Sequence, residues 1–236
     1  MMLLCLLLSA QDPAWGRIEW KENAVRLIVQ TWPADGKLAM PRLNNPIGAV
    51  YLEGDAAKTA LKFEPNVADW TVHRPANREG NVVVIETVGK PRRAGEPVVT
   101  DPAADGSITL AAHDAVTHGR LLRYEPQPHK NTVGYWADEK DWCEWTFRVA
   151  KPGTYKVLLL QGCGKGQGGS EVKIVAGAAS LAFTVEDTGH FQNFVERAAG
   201  TVKIEKAGPC TLEIRAVRKA KGAVMDVRQV RLVPAE

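Results

Sequence analysis

Apolar and polar residues alternate with a period of two along much of the chain. The segments 143–149, 171–174, 181–185 and 211–216 each place every second residue on an apolar face and the others on a polar face. A strand with this pattern packs one face on a core and leaves the other in water, as in antiparallel sheets. Helical periodicity is nearly absent. The pattern therefore predicts an all-β protein.

Turn signals separate these runs at short intervals. Five dipeptides typical of turns lie between them: Asp35-Gly36, Asp105-Gly106, Pro152-Gly153, Ala176-Gly177 and Gly208-Pro209. Short strands punctuated in this way favour β-sandwiches or barrels over a βαβ design. The last run, residues 225–233, loses its alternation at Arg228-Gln229, which predicts a β-bulge there.

A stretch rich in proline, glycine and charge interrupts the chain at residues 89–106. Such a composition is expected to bury little surface and is typical of a linker between domains. An apolar run at 82–85 precedes it, and a new run follows it. We therefore predict a first β-sandwich domain over residues 13–90, a linker over 91–106 and a second sandwich domain over 107–236.

Composition and charge narrow the classes of partner. The 236 residues are 45% hydrophobic and 24% charged, with a net charge of +3, which is ordinary for a globular protein. No nucleic-acid partner is expected, because the net charge is small and the basic cluster Arg218, Lys219 and Lys221 is typical of a solvated turn.

The first residues are apolar. Segment 1–12 resembles the apolar core of a signal peptide, although it lacks a positively charged start, and it is too short to span a membrane. A secreted or periplasmic location follows from this interpretation. The alternative is a start codon placed inside a longer gene, with the apolar stretch an accident.

The cysteines, histidines and glycines form no metal or nucleotide motif. Cys5, Cys143, Cys163 and Cys210 are spaced unlike a zinc site, and one bridge, between Cys163 and Cys210, is compatible with their positions. None of the five histidines belongs to an H-E-x-x-H motif. The segment 161–170 satisfies G-x-G-x-x-G, but a strand pattern follows it, so we predict a hairpin loop and no dinucleotide site.

Carboxylates cluster at residues 138–144 and at 186–187. A glycoside hydrolase needs two carboxylates that flank a cleft. Such clusters are commonplace on alternating strands and acidic turns, and no nucleophile elbow or Ser-His-Asp order accompanies them. We therefore expect a protein without catalytic residues and without a cofactor.

Two loop-like segments combine aromatic and polar residues. Tyr135 and Trp136 lie in GYWADEKDW, where a core aromatic would be out of place, and Phe191 and Phe194 lie in TGHFQNF. The C–H face of a sugar ring stacks on aromatic planes, while Asn, Gln and His supply hydrogen bonds. One interpretation is a carbohydrate platform where the two loops converge at one end of a sandwich. The other is that these rings close the ends of the core.

Residues 107–234 resemble the family 6 and family 35 carbohydrate-binding modules. The segments that carry the resemblance, in chain order, are GYWADEKDWCEWTFRVAKPGTYKVLLL, EDTGHFQNF, GTVKIEKAGPCTLEIRAV and AVMDVRQVRLVP. The resemblance implies that the second domain is a β-jelly roll. It also implies that this domain binds a glycan or polysaccharide through the loops at one end.

The same resemblance implies a set of site residues. The stacking aromatic of the first loop falls on Tyr135 or Trp136, and that of the second on Phe191. With their polar neighbours, the candidate binding residues are Tyr135, Trp136, His190, Phe191, Gln192 and Asn193. Val224 replaces the binding asparagine of those modules, whereas their closing aspartate is kept as Asp226, the one candidate for calcium. The E-A-E of their opening strand is replaced at 111–113.

Residues 13–90 resemble the small C-terminal β-domain of the family 29 glycoside hydrolases, the α-L-fucosidases. The segments that carry this resemblance are PAWGRIEW, VQTWPADGKLAMPRLNNPIGAVYLEGD and NVVVIE. In those enzymes the domain packs against a (β/α)₈ barrel that holds the catalytic residues. The resemblance implies descent from a fucosidase, or truncation of one, and no activity in this part.

Three interpretations of function follow. The first is a non-catalytic carbohydrate-binding accessory protein whose partner is a glycan. The second is a C-terminal fragment of a multidomain α-L-fucosidase, whose two structural domains pack on a glycosidase catalytic domain. The third is a structural domain whose aromatic loops contact another protein.

Overall fold

The chain folds into β-sheets throughout the region that the structure covers. A computed structural model describes residues 12–96 and 98–235, so segment 1–12, apart from its last residue, lies outside the described residues. Within them the structure has nineteen strands and one 3₁₀ turn, Ala112–Asp114, which confirms the predicted all-β class. None of these elements is a helix with the length and apolar character needed to cross a bilayer.

Residues 16–87 form a sandwich of two antiparallel sheets. One sheet has the strand order β1-β2-β7-β4 and the other β3-β6-β5. Alternate side chains of β2 and β7 are fully buried, as is Trp70 of β6, whose ring meets the edge of Phe63. The strands are β1 Gly16–Trp20, β2 Ala24–Val29, β3 Lys37–Met40, β4 Ile47–Leu52, β5 Phe63–Pro65, β6 Trp70–His73 and β7 Val82–Thr87.

Residues 99–234 form a second sandwich, a jelly roll in which most connections cross from one sheet to the other. One sheet has the order β10-β13-β18-β15-β16 with β8 beside β13, and the other β11-β12-β19-β14-β17 with β9 beside β19. The strands are β8 Val99–Thr100, β9 Ile108–Ala111, β10 Val116–His118, β11 Arg123–Glu125, β12 Thr132–Gly134, β13 Trp142–Val149, β14 Gly153–Cys163, β15 Glu171–Ala176, β16 Ala179–Thr184, β17 His190–Ile204, β18 Gly208–Arg218 and β19 Asp226–Pro234.

The connection between the two sandwiches makes a few specific contacts with both of them. Pro91 is buried, and the Arg92 guanidinium donates to the carboxylate of Asp114 at 2.7 Å. Strand β8 then pairs in parallel with β13, opposite Thr146 and Phe147. Of the described residues of this stretch, Pro91 alone is buried and the others are exposed or half-buried, so it buries little surface, and the division into two domains joined by a linker stays a prediction.

The glycine-rich segment between β14 and β15 is a crossover. These two strands belong to different sheets, so the predicted hairpin is wrong, whereas the prediction that a strand follows the glycines is confirmed. Gly166 and Gly169 adopt φ values of 75° and 92°, and the Gly166 N–H donates to the Asp187 carboxylate. The conformation is a tight turn between sheets, with no helix to receive a phosphate.

The bulge predicted near the end of the chain is confirmed. Leu160 of β14 pairs with Gln229 of β19, while Gln161 pairs with Val227, so Arg228 is the additional residue.

The three cysteines within the described residues are free thiols. The bridge considered between Cys163 and Cys210 is not formed, since these residues lie on β14 and β18 of opposite sheets. Burial raises the pKa of the Cys163 thiol to about 11, which leaves it protonated and unreactive near neutral pH.

A buried carboxylate fixes the loop that precedes β13. Asp141 is 1% exposed, and its oxygens accept hydrogen bonds at 2.8 Å from the backbone N–H groups of Arg120, Leu121 and Leu122. A Cβ at Gly119 would lie 1.9 Å from Oδ1 of Asp141, so only glycine permits this approach. The carboxylate thus joins the loop before β11 to the loop before β13.

Replacing Asp141 with alanine should destabilise the jelly roll. Three backbone donors would lose a charged acceptor, and we expect the free energy of unfolding to fall by about 3 kcal/mol. The matched control is Asp138→Ala in the same loop, where the carboxylate binds one exposed N–H and the loss should be about 0.5–1 kcal/mol. Urea denaturation of both variants measures the difference; equal losses would contradict the role assigned to Asp141.

Candidate functional site

A cavity of about 320 Å³ opens at one end of the jelly roll. The β12–β13 loop meets the first residues of β17 there, so the two aromatic segments of the sequence do converge. The cavity is lined by Glu125, Lys130, Tyr135, Trp136, Ala137, Phe191, Gln192, Ala223 and Asp226. Four of the six candidate binding residues are among them, and three lining residues with charged side chains come from elsewhere in the chain.

Tyr135 projects its ring into solvent at the rim of the cavity. The residue is 54% exposed, although most aromatic residues of this domain are buried. Its φ is 61°, a left-handed conformation that is uncommon for a bulky residue and costs on the order of 1–3 kcal/mol. The guanidinium of Arg123 lies 3.8 Å from the ring centroid and covers one face. The ring is thus held outward at an energetic cost.

Trp136, the next residue, is fully buried. Its Nε1–H donates to the backbone carbonyl of Asp141 at 3.0 Å, and its own carbonyl accepts from the N–H of Val224 at 2.9 Å. The expectation that a core aromatic would be out of place in this loop is wrong for Trp136, since the loop turns its indole inward. Tyr135 is therefore the exposed aromatic of the pair, and Trp136 forms the apolar floor beside it.

Phe191 forms the opposite wall. Its half-buried ring lies against Gly164, where an added Cβ would be 2.6 Å from a ring carbon. Its backbone carbonyl lies against Gly162, where a Cβ would be 1.9 Å from the oxygen. The two glycines therefore allow β14 to approach β17 closely enough to place Phe191 and Gln192 on the cavity.

His190 and Asn193 do not line the cavity. His190 is exposed, and its Nδ1 accepts a hydrogen bond from the backbone N–H of Gln192 at 3.1 Å. The amide of Asn193 donates to the carbonyl of Thr188 at 2.5 Å. In this structure both side chains brace the turn that carries Phe191, and their role in binding a ligand stays a prediction.

The base of the cavity carries a group of charged residues, of which the sequence analysis named only Asp226. Glu125 ends β11 and is 4% exposed, and Lys130 donates to its Oε1 at 2.8 Å. Asp226 begins β19 and is also 4% exposed. A Cβ at Gly134 would lie 2.8 Å from Glu125 Oε2 and 2.9 Å from Asp226 Oδ1, so the two carboxyl groups face each other across a glycine.

Asp226 is the acid at the base of the cavity that has no ion-pair partner within the described residues. Burial, and then the nearby Glu125, raise the pKa of its carboxyl to about 8, against the opposing effect of Lys130 and Arg228. None of the described residues donates a hydrogen bond to it. A buried polar group without a partner costs free energy, and a ligand that supplies the missing hydrogen bond would regain it.

The donor set does not suit the calcium ion considered for Asp226. Calcium takes six to eight oxygen ligands, and here one of the two carboxylates already binds the ammonium group of Lys130. Within the described chain, no group of three or more His, Cys, Asp or Glu side chains could hold a metal ion. The base of the cavity is better suited to hydroxyl groups, which both donate and accept hydrogen bonds.

The raised pKa of Asp226 should make stability depend on pH. The folded protein holds a proton that the unfolded chain releases near pH 4, so this contribution is complete below pH 4 and is lost as the pH rises to about 8. We expect the free energy of unfolding to fall by up to about 1.4 kcal/mol per pH unit in this window. Denaturation of Asp226→Asn should show a flatter profile; a slope equal to that of the parent protein would refute the assignment.

Residues 124–235 match a family model described as "Domain of unknown function (DUF5077)". The matched range begins in β11 and ends after β19, and it contains every residue that lines the cavity. No curated protein matches the chain significantly.

Several solved structures are similar to this chain. The α-L-fucosidase from Vibrio sp. strain EJY3 is 17% identical with a TM-score of 0.39, and the alignment covers 95% of this chain and 40% of the fucosidase. The C-terminal CBM6 of LamC, a marine laminarinase from Zobellia galactanivorans, is 16% identical with a TM-score of 0.45, over 54% of this chain and 98% of that one.

A family 35 carbohydrate-binding module from Clostridium thermocellum is 13% identical with a TM-score of 0.45, over 55% of this chain and 98% of the module. This chain thus spans about two fifths of the fucosidase and nearly the whole length of the two modules. At these identities and TM-scores, function has to be argued from the site itself.

Proposed function

We propose that the carboxy-terminal sandwich is a non-catalytic carbohydrate-binding module whose site is the cavity between Tyr135 and Phe191. The observation that carries the proposal is the exposed ring of Tyr135, held in a strained backbone conformation beside a cavity with buried carboxyl groups at its base. Strain of this kind concentrates at functional sites. An aromatic rim over a polar base suits a sugar, which has an apolar C–H face and a ring of hydroxyls.

The arrangement assigns a role to each side of the cavity. Arg123 covers one face of the Tyr135 ring, so the other face is the one that a sugar ring would stack on. Phe191 supplies a second apolar surface across the cavity. Asp226 offers hydrogen-bonding capacity that the protein leaves unused, and Gln192 adds an amide at the rim. A pyranose fits a volume of about 320 Å³.

Binding without turnover is consistent with how the two acids are held. Glu125 is tied to Lys130 at 2.8 Å, so Asp226 is the one acid lining the cavity that is left to meet a ligand, whereas a glycoside hydrolase uses two carboxylates. A shallow site of this size buries little ligand surface, so we expect dissociation constants on the order of 10 µM to 1 mM for a short oligosaccharide.

The competing interpretation is a fragment of an α-L-fucosidase whose sandwiches pack on a catalytic domain. It rests on the resemblance of residues 13–90 to the β-domain of those enzymes. A packing surface of this kind would be apolar. Within residues 16–90, however, Val88 is the one large apolar residue that is well exposed. The cavity, by contrast, lies in the other sandwich and needs no catalytic domain.

Affinity electrophoresis of the full chain against a panel of polysaccharides tests the proposal. We expect at least one neutral polysaccharide to retard the protein, and Tyr135→Ala and Phe191→Ala each to weaken binding about tenfold, because each removes one stacking surface worth about 1.4 kcal/mol. A chelator should leave retardation unchanged.

Two controls accompany this experiment. Trp32→Ala removes a half-buried aromatic residue of the other sandwich and should bind like the parent protein. Trp136→Ala removes a fully buried ring and should lower the melting temperature in addition to weakening binding. The proposal would be contradicted if no polysaccharide retards the folded protein, or if Tyr135→Ala and Phe191→Ala are both retarded as strongly as the parent protein.

A further inference from the structure

A cleft of about 370 Å³ lies where the two sandwiches and their connection meet. The β3–β4 loop contributes one wall, the connection at residues 93–95 a second, and the start of β10 a third. The polar side chains that line it are Arg42, Asn44, Arg93 and Thr117. No carboxylate is among the lining residues.

Arg42 is a half-buried guanidinium without a counter-ion. Its Nη1 donates to the carbonyl of Val67 at 2.7 Å, and within the described chain no carboxylate forms an ion pair with it. Burial, and then the positive charge of Arg123, lower the pKa of this group. A desolvated charge that faces a like charge is unfavourable unless an opposite charge joins it.

Arg93, on the facing side of the cleft, is also unpaired with any carboxylate of the described chain. Its guanidinium lies over the ring of Trp20, 4.8 Å from the centroid, a contact that leaves its hydrogen-bonding capacity unused. Two nearby acids do not compensate the charge of these arginines: Asp114 binds Arg92 at 2.7 Å, and Asp69, which lines a neighbouring pocket with Arg93, forms no ion pair with Arg42 or Arg93.

Asn44 supplies a third donor. It is 3% exposed and lines the cleft, and within the described residues its side-chain amide has no hydrogen-bond partner, whereas its backbone carbonyl accepts from Arg92 at 3.0 Å. Two arginines and an asparagine therefore line a space with room for a small ligand.

We propose that this cleft is a second binding site, one that takes an oxyanion such as a carboxylate or sulfate group through Arg42, Arg93 and Asn44. Guanidinium groups bind such anions through two parallel hydrogen bonds, and partial burial strengthens the interaction. The source of the anion is either an acidic sugar or a free inorganic anion. The site is separate from the aromatic cavity and does not depend on its function.

Thermal unfolding of the full chain tests this site. Sodium sulfate and sodium glucuronate are compared with sodium chloride at equal ionic strength, and glucose serves as the uncharged control for glucuronate. At a concentration about tenfold above the dissociation constant, an oxyanion that binds here should raise the melting temperature by roughly 3–6 °C over chloride. Because sulfate also stabilises folded proteins by its exclusion from their surface, only the part of each shift that Arg93→Gln removes is counted. A larger counted shift with glucuronate identifies an acidic sugar, and a counted shift with sulfate alone identifies a free anion.

Substitutions locate the effect. Arg42→Gln and Arg93→Gln should each abolish the shift, whereas Arg148→Gln, which changes an exposed arginine paired with Asp101, should retain it. If Arg42→Gln does not fold, Arg93→Gln carries the test alone. The absence of a shift in the parent protein, or an undiminished shift in Arg93→Gln, would overturn the proposal.

Discussion

The burial of Trp136 is the constraint on which the candidate site depends. Its indole is fixed in the core by a hydrogen bond to the carbonyl of Asp141, whose carboxylate is in turn held by three backbone N–H groups. With Trp136 turned inward, Tyr135 must leave the sheet with φ at 61° and its ring in solvent. The core therefore supplies the energy that holds an aromatic ring at the rim of a cavity.

At the base of that cavity, by contrast, a residue of the candidate site lowers the stability of the fold. The carboxyl group of Asp226 is buried, and burial raises its pKa. In its ionised form this group therefore destabilises the fold. Gly134 permits it to face Glu125, and Lys130, which pairs with Glu125, offsets only part of the pKa shift at Asp226. A ligand hydroxyl that binds Asp226 would relieve a cost that packing alone leaves in place.

The sequence predicted the architecture better than the site. Alternation with a period of two is imposed by a sheet with one wet face, which is why the strands and the bulge at Arg228 were predictable. The same alternation cannot show which of Tyr135 and Trp136 is buried, since the β12–β13 loop that contains both residues follows no regular period. Glu125 and Lys130 were missed because β11 joins the site only through its pairing with β12. The crossover after β14 was mistaken for a hairpin, since glycines report a turn and not the sheet that follows.

Titration of isotope-labelled protein with an oligosaccharide, followed through backbone amide shifts, tests the central claim most directly. We expect the largest shifts at the backbone amides around the cavity, those of Tyr135, Ala137, Phe191, Gln192 and Ala223, with the first sandwich unaffected. Saturable shifts confined to any other surface, with these five amides unchanged, would contradict it.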